Sequence, residues 1–290
     1  MHAPMHTSGS DTALTGVWSP NQDRAAALAE SVGVRTFRSF DELVEASEAV
    51  DFAVPPAVQA SLANEAAQGG RALLLEKPLA ASLDEATRLV DVIDASGVVS
   101  VVILTKRYHR RTREFLADAR ALERGVLVVT GRYVHGGFLD TGFIEESERT
   151  GWRRTLGVLF DLGPHLLDLA DAAAGPIRSI SAFGDPTEAI LLSTEHEGGA
   201  RGQFLLSGRV QTRNVLTDVD VYAHGGHLAY TTRGLDLSEA VATLRAEFAA
   251  AVRTGGPVAV DAHRALEVQR IIDAATRSLA QGRAIELDGE

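Results

Sequence analysis

The first hundred residues alternate short apolar segments with longer segments in which apolar residues recur every three or four positions. A short apolar run predicts a buried strand, whereas the longer repeat predicts a helix that packs on one side. The strand pattern fits residues 14–18, 50–54, 71–75 and 98–104. With helices between them, the predicted order is β-α-β-α-β-α-β, which is typical of an α/β, doubly wound Rossmann-like parallel sheet.

The predicted helices carry start and stop signals in the sequence. Ser19, Pro20 and Gln22 combine an N-cap, a proline at the first helical position and a capping-box glutamine, so a helix is expected from there to about Ser31. Two further capping boxes are formed by Ser39 with Glu42 and by Ser82 with Glu85. Gly33 and Gly97 are predicted to end helices.

Beyond Leu104 the pattern changes to long segments of alternating hydrophobicity separated by glycines. This alternation predicts strands of a mainly antiparallel open sheet. The predicted strands are 126–134, 189–195, 203–206, 218–222 and 284–287, and the predicted helices are 109–123, 164–173, 238–253 and one from the N-cap Asp261 to about Gly282. We therefore expect two domains, a nucleotide-binding domain at residues 1–104 and an α+β domain at residues 105–290.

A parallel nucleotide-binding sheet normally begins with a central strand and a glycine-rich turn that receives a pyrophosphate. Residues 1–9 contain neither feature, and residues 2–6 look like the helix that follows such a turn. The first strand of the sheet is therefore expected to be missing, so that the sheet either closes the gap or exposes two edges.

Composition narrows the classes of function. A net charge of −11 argues against binding to a phosphate backbone, so a small molecule is the expected partner and nucleic acid is not. No apolar run is long enough to span a bilayer, which argues against a membrane partner, and we expect a cytoplasmic protein. The chain has no cysteine, which excludes disulfides, thiolate metal sites and cysteine nucleophiles.

Two residues or clusters stand out for their chemistry. Lys77 is one of only two lysines and directly follows the apolar segment 71–75. An ammonium can take part in proton chemistry where a guanidinium cannot, but an ordinary surface lysine would look the same from its position alone.

The second candidate is Asp161 with His165 and Asp168. If all three lie on one helix, their spacing places them on one face, and Pro164 requires that helix to begin within about a turn upstream. His165 would then lie near the positive end of the helix dipole, as a base poised near neutrality. The alternative is a structural histidine satisfied by a capping aspartate.

Taken together, these motifs resemble the Gfo/Idh/MocA family of NAD(P)-dependent oxidoreductases, which includes glucose-fructose oxidoreductase and inositol dehydrogenases. The resemblance extends over essentially the whole chain. The matching segments are Val54-Pro55-Pro56, Glu76-Lys77-Pro78-Leu79, Trp152-Arg153, residues 161–168, and residues 248–257 with Val260-Asp261.

The resemblance implies that hydride passes between a nicotinamide and a sugar, polyol or related hydroxyl or carbonyl compound. It implies that His165 is the general acid/base, that Lys77 hydrogen-bonds the reacting oxygen, and that Asp161 orients substrate or His165. The implied cofactor-binding residues are Trp18, Ser19, Arg24, Val54, Pro55, Pro56, Glu76 and Lys77. It also implies a homodimer or homotetramer that assembles through the sheet of the second domain.

The sequence determines the form of the cofactor and the substrate-binding residues less well. No carboxylate follows residues 14–18 to bind a ribose 2′-hydroxyl, which favours NADP weakly. Arg24 is a candidate partner of the 2′-phosphate, but a solvated helix face explains this residue better. Trp152 and Arg153 either clamp a polyhydroxylated substrate or pack a loop. Tyr108, in the basic run 106–111, is a further substrate candidate, and a solvated helix start is the other explanation of that run.

The sequence departs from the family pattern at two places. Position 59 is Gln59 where many members have histidine, and the strand and glycine turn of the family precede the segment that matches Met1. We therefore expect the functional protein to begin about twenty residues upstream. The alternative is a non-catalytic dimeric sensing or scaffold protein. His224 and His227 have a metal-like spacing but flank a Gly-Gly pair, so we expect a turn and no metal site.

Overall fold

The computed structural model describes residues 1–122, 125–146 and 151–287, which divide into two compact units. The first unit contains Met1–Tyr108 and Leu237–Leu266, and the second contains His109–Asp236 and the residues from Glu267 onward. The first unit thus extends four residues past the predicted boundary at Leu104. It also takes Leu237–Leu266, because Leu244, Phe248 and Val260 belong to its core.

The first unit contains two separate parallel sheets. One pairs β1 (Gly16–Val17) with β2 (Arg35–Thr36), and the other has the order β3 (Ala49–Asp51), β4 (Ala72–Leu75) and β5 (Ser100–Val102). The predicted parallel α/β fold is confirmed, and its described strands form two separate sheets instead of one continuous sheet. The strands are shorter than predicted, and β2 was not predicted because both of its residues are exposed.

The central strand β4 is apolar throughout because it is buried, as Leu73, Leu74 and Leu75 show. All three side chains are fully buried, since strands flank β4 on both sides and the helix Pro56–Gln68 packs against it. The helices of this unit are α1 (His2–Thr7), α2 (Gln22–Val32), α3 (Phe40–Glu45), α4 (Pro56–Gln68), α5 (Leu83–Ser96) and α8 (Leu237–Thr254), with a 3-10 turn at Thr105–Tyr108.

The helix caps agree with the sequence at Ser39 and Ser82, whose side chains accept from the backbone N–H groups of Glu42 and Glu85. The prediction that Ser19 caps α2 was wrong. Asn21 is the N-cap, because its side-chain oxygen accepts from the Arg24 N–H at 3.0 Å, and Pro20 precedes the helix.

The second unit is built on a seven-stranded, mainly antiparallel sheet with the order β11-β10-β6-β9-β8-β7-β12. Among the strands that the structure describes in it, only β6 and β9 pair in parallel. The strands are β6 (Val126–Val134), β7 (Ile177–Asp185), β8 (Ala189–His196), β9 (Arg201–Ser207), β10 (Leu216–Ala223), β11 (Gly226–Thr231) and β12 (Ile285–Glu286), and the helices are α6 (Arg110–Arg120), α7 (Trp152–Ala174) and α9 (Ala262–Gln281). Helix α6 is shorter than predicted, and Glu123 lies outside the described residues.

One face of this sheet is covered by α7, whose residues Leu162, Leu166 and Leu169 are buried in the core of the unit. The opposite face exposes apolar side chains, including the cross-strand pairs Phe183 with Leu191 and Tyr222 with Val128. Within the described part of the chain, none of the helices has the length and apolar character required to cross a membrane.

Candidate active site

One group of candidate residues lies in the turn that follows β4, in the first unit. Glu76 and Lys77 leave the strand at its carboxyl end, both half-buried, and the Lys77–Pro78 peptide bond is cis. The Lys77 N–H donates to Glu76 Oε2 at 3.0 Å, and Gln59 on α4 contacts the same turn. Ligands of open α/β sheets bind at this end of the strands.

A chain of hydrogen bonds connects the ends of β3 and β4 with helix α1. His2 Nδ1 lies 2.9 Å from Asp51 Oδ1, and His2 Nε2 lies 3.1 Å from Glu76 Oε1. His6 extends the chain, since its Nε2 lies 3.1 Å from Asp51 Oδ2 and its Nδ1 lies 2.9 Å from Thr12. The first helix is therefore bonded to the two strand ends beside Lys77.

These contacts shift the pKa values of His2 and Asp51 in opposite directions. Burial alone would lower the pKa of His2, but the hydrogen bonds to Asp51 and Glu76 and their negative charges outweigh it and raise that pKa to about 10. Burial alone would raise the pKa of Asp51, yet its hydrogen bonds to His2 and His6 lower it. At neutral pH His2 is accordingly an imidazolium beside the ionised Asp51.

The other predicted cofactor residues lie on the same unit. The half-buried Trp18 and Ser19 follow β1, and Val54-Pro55-Pro56 connects β3 to α4, with Pro56 buried at the helix start. Arg24 is exposed on α2, which agrees with a solvated helix face.

Aromatic contacts show that these strand ends are neighbours. The Trp18 ring centroid is 5.4 Å from that of Phe40, which is 6.3 Å from that of Phe52, the residue after β3. The carboxyl ends of β1 and β3 thus face one side of the unit, and the amine of Lys77 follows the strand next to β3. This edge therefore carries an aromatic ring, a hydroxyl, a proline loop and an amine, at the end of the strands where open α/β sheets bind ligands.

A second group of candidate residues lies on helix α7 of the second unit. Asp161, His165 and Asp168 are all buried, and their i, i+4 and i+7 positions place them on one face of the helix. Arg153 Nε lies 3.3 Å from Asp161 Oδ2, and its guanidinium stacks over the Trp152 ring at 4.5 Å. Trp152 and Arg153 therefore lie in the helical segment that precedes Gly157, and not in a loop.

The helix begins earlier than predicted and is interrupted at Gly157. This glycine has φ 71° and ψ −165°, and a Cβ there would lie 2.4 Å from the Pro186 carbonyl oxygen. Helical geometry resumes at Val158, so Pro164 lies inside the helix rather than in its first turn. The prediction that His165 lies near the positive end of the dipole was wrong, since that effect is confined to the first turn.

Tyr133 is a neighbour of His165 that the sequence analysis missed. It lies on β6, and its ring meets the His165 ring nearly edge-on with centroids 6.0 Å apart. Burial, and then the negative charge of Asp161, raise the pKa of its phenol. The inward alternation of β6 was the available signal, because Val129, Gly131 and Tyr133 share one face.

Tyr108 does not have the position expected of a substrate residue. Its side chain is fully buried in the core of the first unit, and its hydroxyl donates to the Val102 carbonyl at 3.2 Å. The basic run around it is partly buried as well, since Lys106 is 8% exposed. The 3-10 turn directs these two side chains inward, so the prediction of a solvated helix start was wrong for them.

Of the remaining histidine candidates, His224 lies in the predicted turn, but His227 lies on β11, so the turn prediction was wrong for it. His224 lies in the turn between β10 and β11, while His227 stacks on Tyr222 and contacts Asp220 at 2.9 Å. Across residues 1–122, 125–146 and 151–287, no group of three or more histidines and carboxylates is arranged to hold a metal ion.

Comparison with known proteins agrees with this description. A family model described as an oxidoreductase family with an NAD-binding Rossmann fold matches residues 1–104. D-xylose 1-dehydrogenase (NADP(+)) 2 of Haloferax volcanii is 29% identical over 96% of this chain and 93% of that protein. Glucose-6-phosphate 3-dehydrogenase of Bacillus subtilis is 27% identical over 58% of this chain and 48% of that protein.

Solved structures share the whole fold. That of GenD2 from gentamicin A biosynthesis, in complex with NAD, has a TM-score of 0.88 at 23% identity and covers 99% of this chain and 93% of that one. Levoglucosan dehydrogenase, in complex with NADH and L-sorbose, has a TM-score of 0.85 at 17% identity over 99% and 94%. Residues 1–104 therefore match the Gfo/Idh/MocA oxidoreductase family, and the fold of these solved structures extends over the rest of the chain.

Proposed function

We propose that this protein transfers a hydride between a nicotinamide cofactor and a carbinol or carbonyl carbon of a sugar or polyol. The observation that carries the proposal is the buried face of α7, where Asp161 and His165 lie one turn apart and Arg153 pairs with Asp161. The relatives support the substrate class, because the two curated relatives described above are named as dehydrogenases of D-xylose and of glucose 6-phosphate.

His165 has the role of general acid/base in this proposal. An imidazole takes the hydroxyl proton as the carbinol carbon is oxidised and returns it in the reverse direction. Asp161 orients the imidazole or the substrate, and Arg153 forms an ion pair with Asp161. When bound, the cofactor supplies the hydride acceptor or donor at nicotinamide C4.

Lys77 would hydrogen-bond the reacting oxygen as negative charge develops on it. Its ammonium is a compact donor, and the cofactor-side position follows from the turn after β4. Trp152 and Arg153 would bind the hydroxyl groups of a sugar, since the stacked guanidinium has N–H groups and the indole has an apolar face.

NADP is the proposed form of the cofactor. The residues that follow β1 are Trp18 and Ser19, and neither side chain is a carboxylate that would select a free 2′-hydroxyl. The relative that spans 96% of this chain is named as an NADP(+) enzyme.

The test incubates the protein with a panel of aldoses and polyols and with NAD⁺ or NADP⁺. The absorbance of the reduced nicotinamide measures the reaction. We expect reduction of the cofactor with at least one sugar, faster with NADP⁺ than with NAD⁺. Lys77→Met should lower kcat by about 10² to 10⁴-fold, the range of acid–base and electrostatic contributions. Absence of any cofactor reduction, alongside absence of NADPH binding in a fluorescence titration, would contradict the proposal.

We also propose that two copies of the chain associate through the open face of the seven-stranded sheet. Phe183 is 75% exposed and Leu191 is 52% exposed, and they are cross-strand neighbours on β7 and β8. Exposed apolar pairs on a sheet are typical of an interface. Sedimentation velocity should show a dimer or tetramer, and a monomer at micromolar concentration would contradict the proposal.

A further inference from the structure

Gln59 is a buried polar side chain whose hydrogen bonds all reach the turn that carries Lys77. It lies on the first turn of α4 and is fully buried. Buried amides are normally satisfied by hydrogen bonds, so the choice of partners is informative. Its partners are backbone groups of Glu76, Pro78 and Leu79, 17 to 20 residues away in sequence.

The amide satisfies both ends of this turn. Gln59 Oε1 accepts from the Glu76 N–H at 2.8 Å, and Nε2 donates to the Glu76 carbonyl at 2.8 Å. Nε2 also donates to the Leu79 carbonyl at 3.0 Å, and the Pro78 carbonyl lies at 3.4 Å. Because a primary amide has two N–H groups, the two shorter contacts account for its donors.

Lys77 lies between the two anchored carbonyls. Its own N–H donates to Glu76 Oε2 at 3.0 Å, so the residue before it is fixed through both backbone and side chain. The anchor itself is rigid, since α4 packs through the buried residues Ala60, Ala63 and Ala67. Helix α4 therefore determines the backbone position from which the Lys77 side chain extends.

We propose that Gln59 is a positioning residue that holds Lys77 at the reacting oxygen. The inference rests on the proposed hydride transfer. It adds to that proposal the residue that fixes the position of Lys77. A displacement of about 1 Å in a catalytic group is enough to lower a rate by about 100-fold. The effect acts on kcat rather than on KM, since the Lys77 contact strengthens as charge develops on the oxygen.

The test compares three variants with the wild-type protein. Gln59→Met keeps the side-chain length and removes every hydrogen bond, whereas Gln59→His keeps one donor and one acceptor. Gln269→Met is the matched control, because Gln269 is also a buried glutamine but lies on α9 in the second unit. A loss of kcat common to both methionine variants would reflect the removal of any buried polar side chain, and not a specific effect on Lys77.

The chain offers a readout that does not depend on activity, since it contains only two lysines. Labelling lysine with ¹³C at Cε gives two NMR signals, and Lys77→Arg identifies the signal of Lys77. In Gln59→Met we expect a shifted or broadened Lys77 signal and an unchanged Lys106 signal. We expect kcat to fall by about 100-fold with KM changed less than about threefold, and Gln59→His to recover to within about tenfold of the wild-type protein.

An unchanged Lys77 signal with unchanged kcat in Gln59→Met would overturn the proposal, as would equal disturbance of both lysine signals. An equal loss of kcat in Gln269→Met would also overturn it. If the wild-type protein oxidises no sugar, the proposed function fails. The NMR comparison then still decides whether Gln59 holds Lys77 in place.

Discussion

The ion pair of His2 with Asp51 gives a stability prediction that can be worked out from the structure. Asp51→Asn removes the charge but keeps one oxygen near His2. A His2 pKa raised from 6.5 to about 10 corresponds, at 1.36 kcal/mol per pH unit, to an upper limit of about 5 kcal/mol. Glu76 retains part of that interaction, and the His2 side chain is one-fifth exposed to screening solvent. We expect a loss of about 2 to 3 kcal/mol in the free energy of unfolding.

The sign of the pH dependence follows from the raised pKa. Because His2 binds its proton more tightly in the folded state, the stabilisation is complete below pH 6.5 and disappears as the pH rises through about 10. The difference between wild-type protein and Asp51→Asn should therefore be largest at about pH 6 and fall below about 1 kcal/mol at about pH 10.5.

Urea unfolding at these two pH values measures the difference. Trp18 fluorescence reports on the first unit in a Trp152→Phe background, since the chain has two tryptophans. Asp94→Asn is the matched control, because Asp94 pairs with His263 at 2.8 Å but both side chains are more than half exposed. We expect that control to cost less than about 1 kcal/mol. An Asp51→Asn loss that is equal at both pH values would refute the reasoning.

Three further predictions concern the second unit. Gly157→Ala should lower the free energy of unfolding by about 1 to 3 kcal/mol in a urea titration, because a Cβ would meet the Pro186 carbonyl and φ is positive; no change would contradict the strained turn. Tyr133→Phe should leave the melting temperature within a few degrees but change KM or kcat for the sugar, and unchanged kinetics would separate Tyr133 from the site. Phe183→Asp should convert the oligomer to monomer in sedimentation velocity, whereas Phe143→Asp, at an exposed residue outside the sheet, should not.

The sequence predicted those elements whose local pattern and tertiary environment agree. Strand β6 matches the predicted limits at both ends, because its alternation is clear and Gly125, with φ 72°, precedes it. Two of the three capping signals succeeded for the same reason. The third failed because Ser19 and Asn21 both offer a capping oxygen, and only the backbone geometry selects between them.

The remaining features depend on contacts that local pattern does not contain. Helix α7 continues past Pro164 because nearly all of its residues from Gly157 to Asp171 are buried in the second core, and that burial outweighs the helix-breaking tendency. Leu237–Leu266 joins the first unit through contacts with residues more than a hundred positions earlier. The bond between His2 and Asp51 likewise joins positions 49 residues apart.

Isotope transfer from the sugar to the cofactor directly tests the proposed hydride transfer. The best substrate of the sugar panel is prepared with deuterium at the carbon that is oxidised, and the reduced cofactor is analysed by mass spectrometry and NMR. The account predicts that the deuterium appears at nicotinamide C4. It also predicts that His165→Asn slows this transfer by about 10² to 10⁴-fold, while His263→Asn at the surface does not. Reduced cofactor without deuterium, or transfer at an unchanged rate in His165→Asn, would contradict the account.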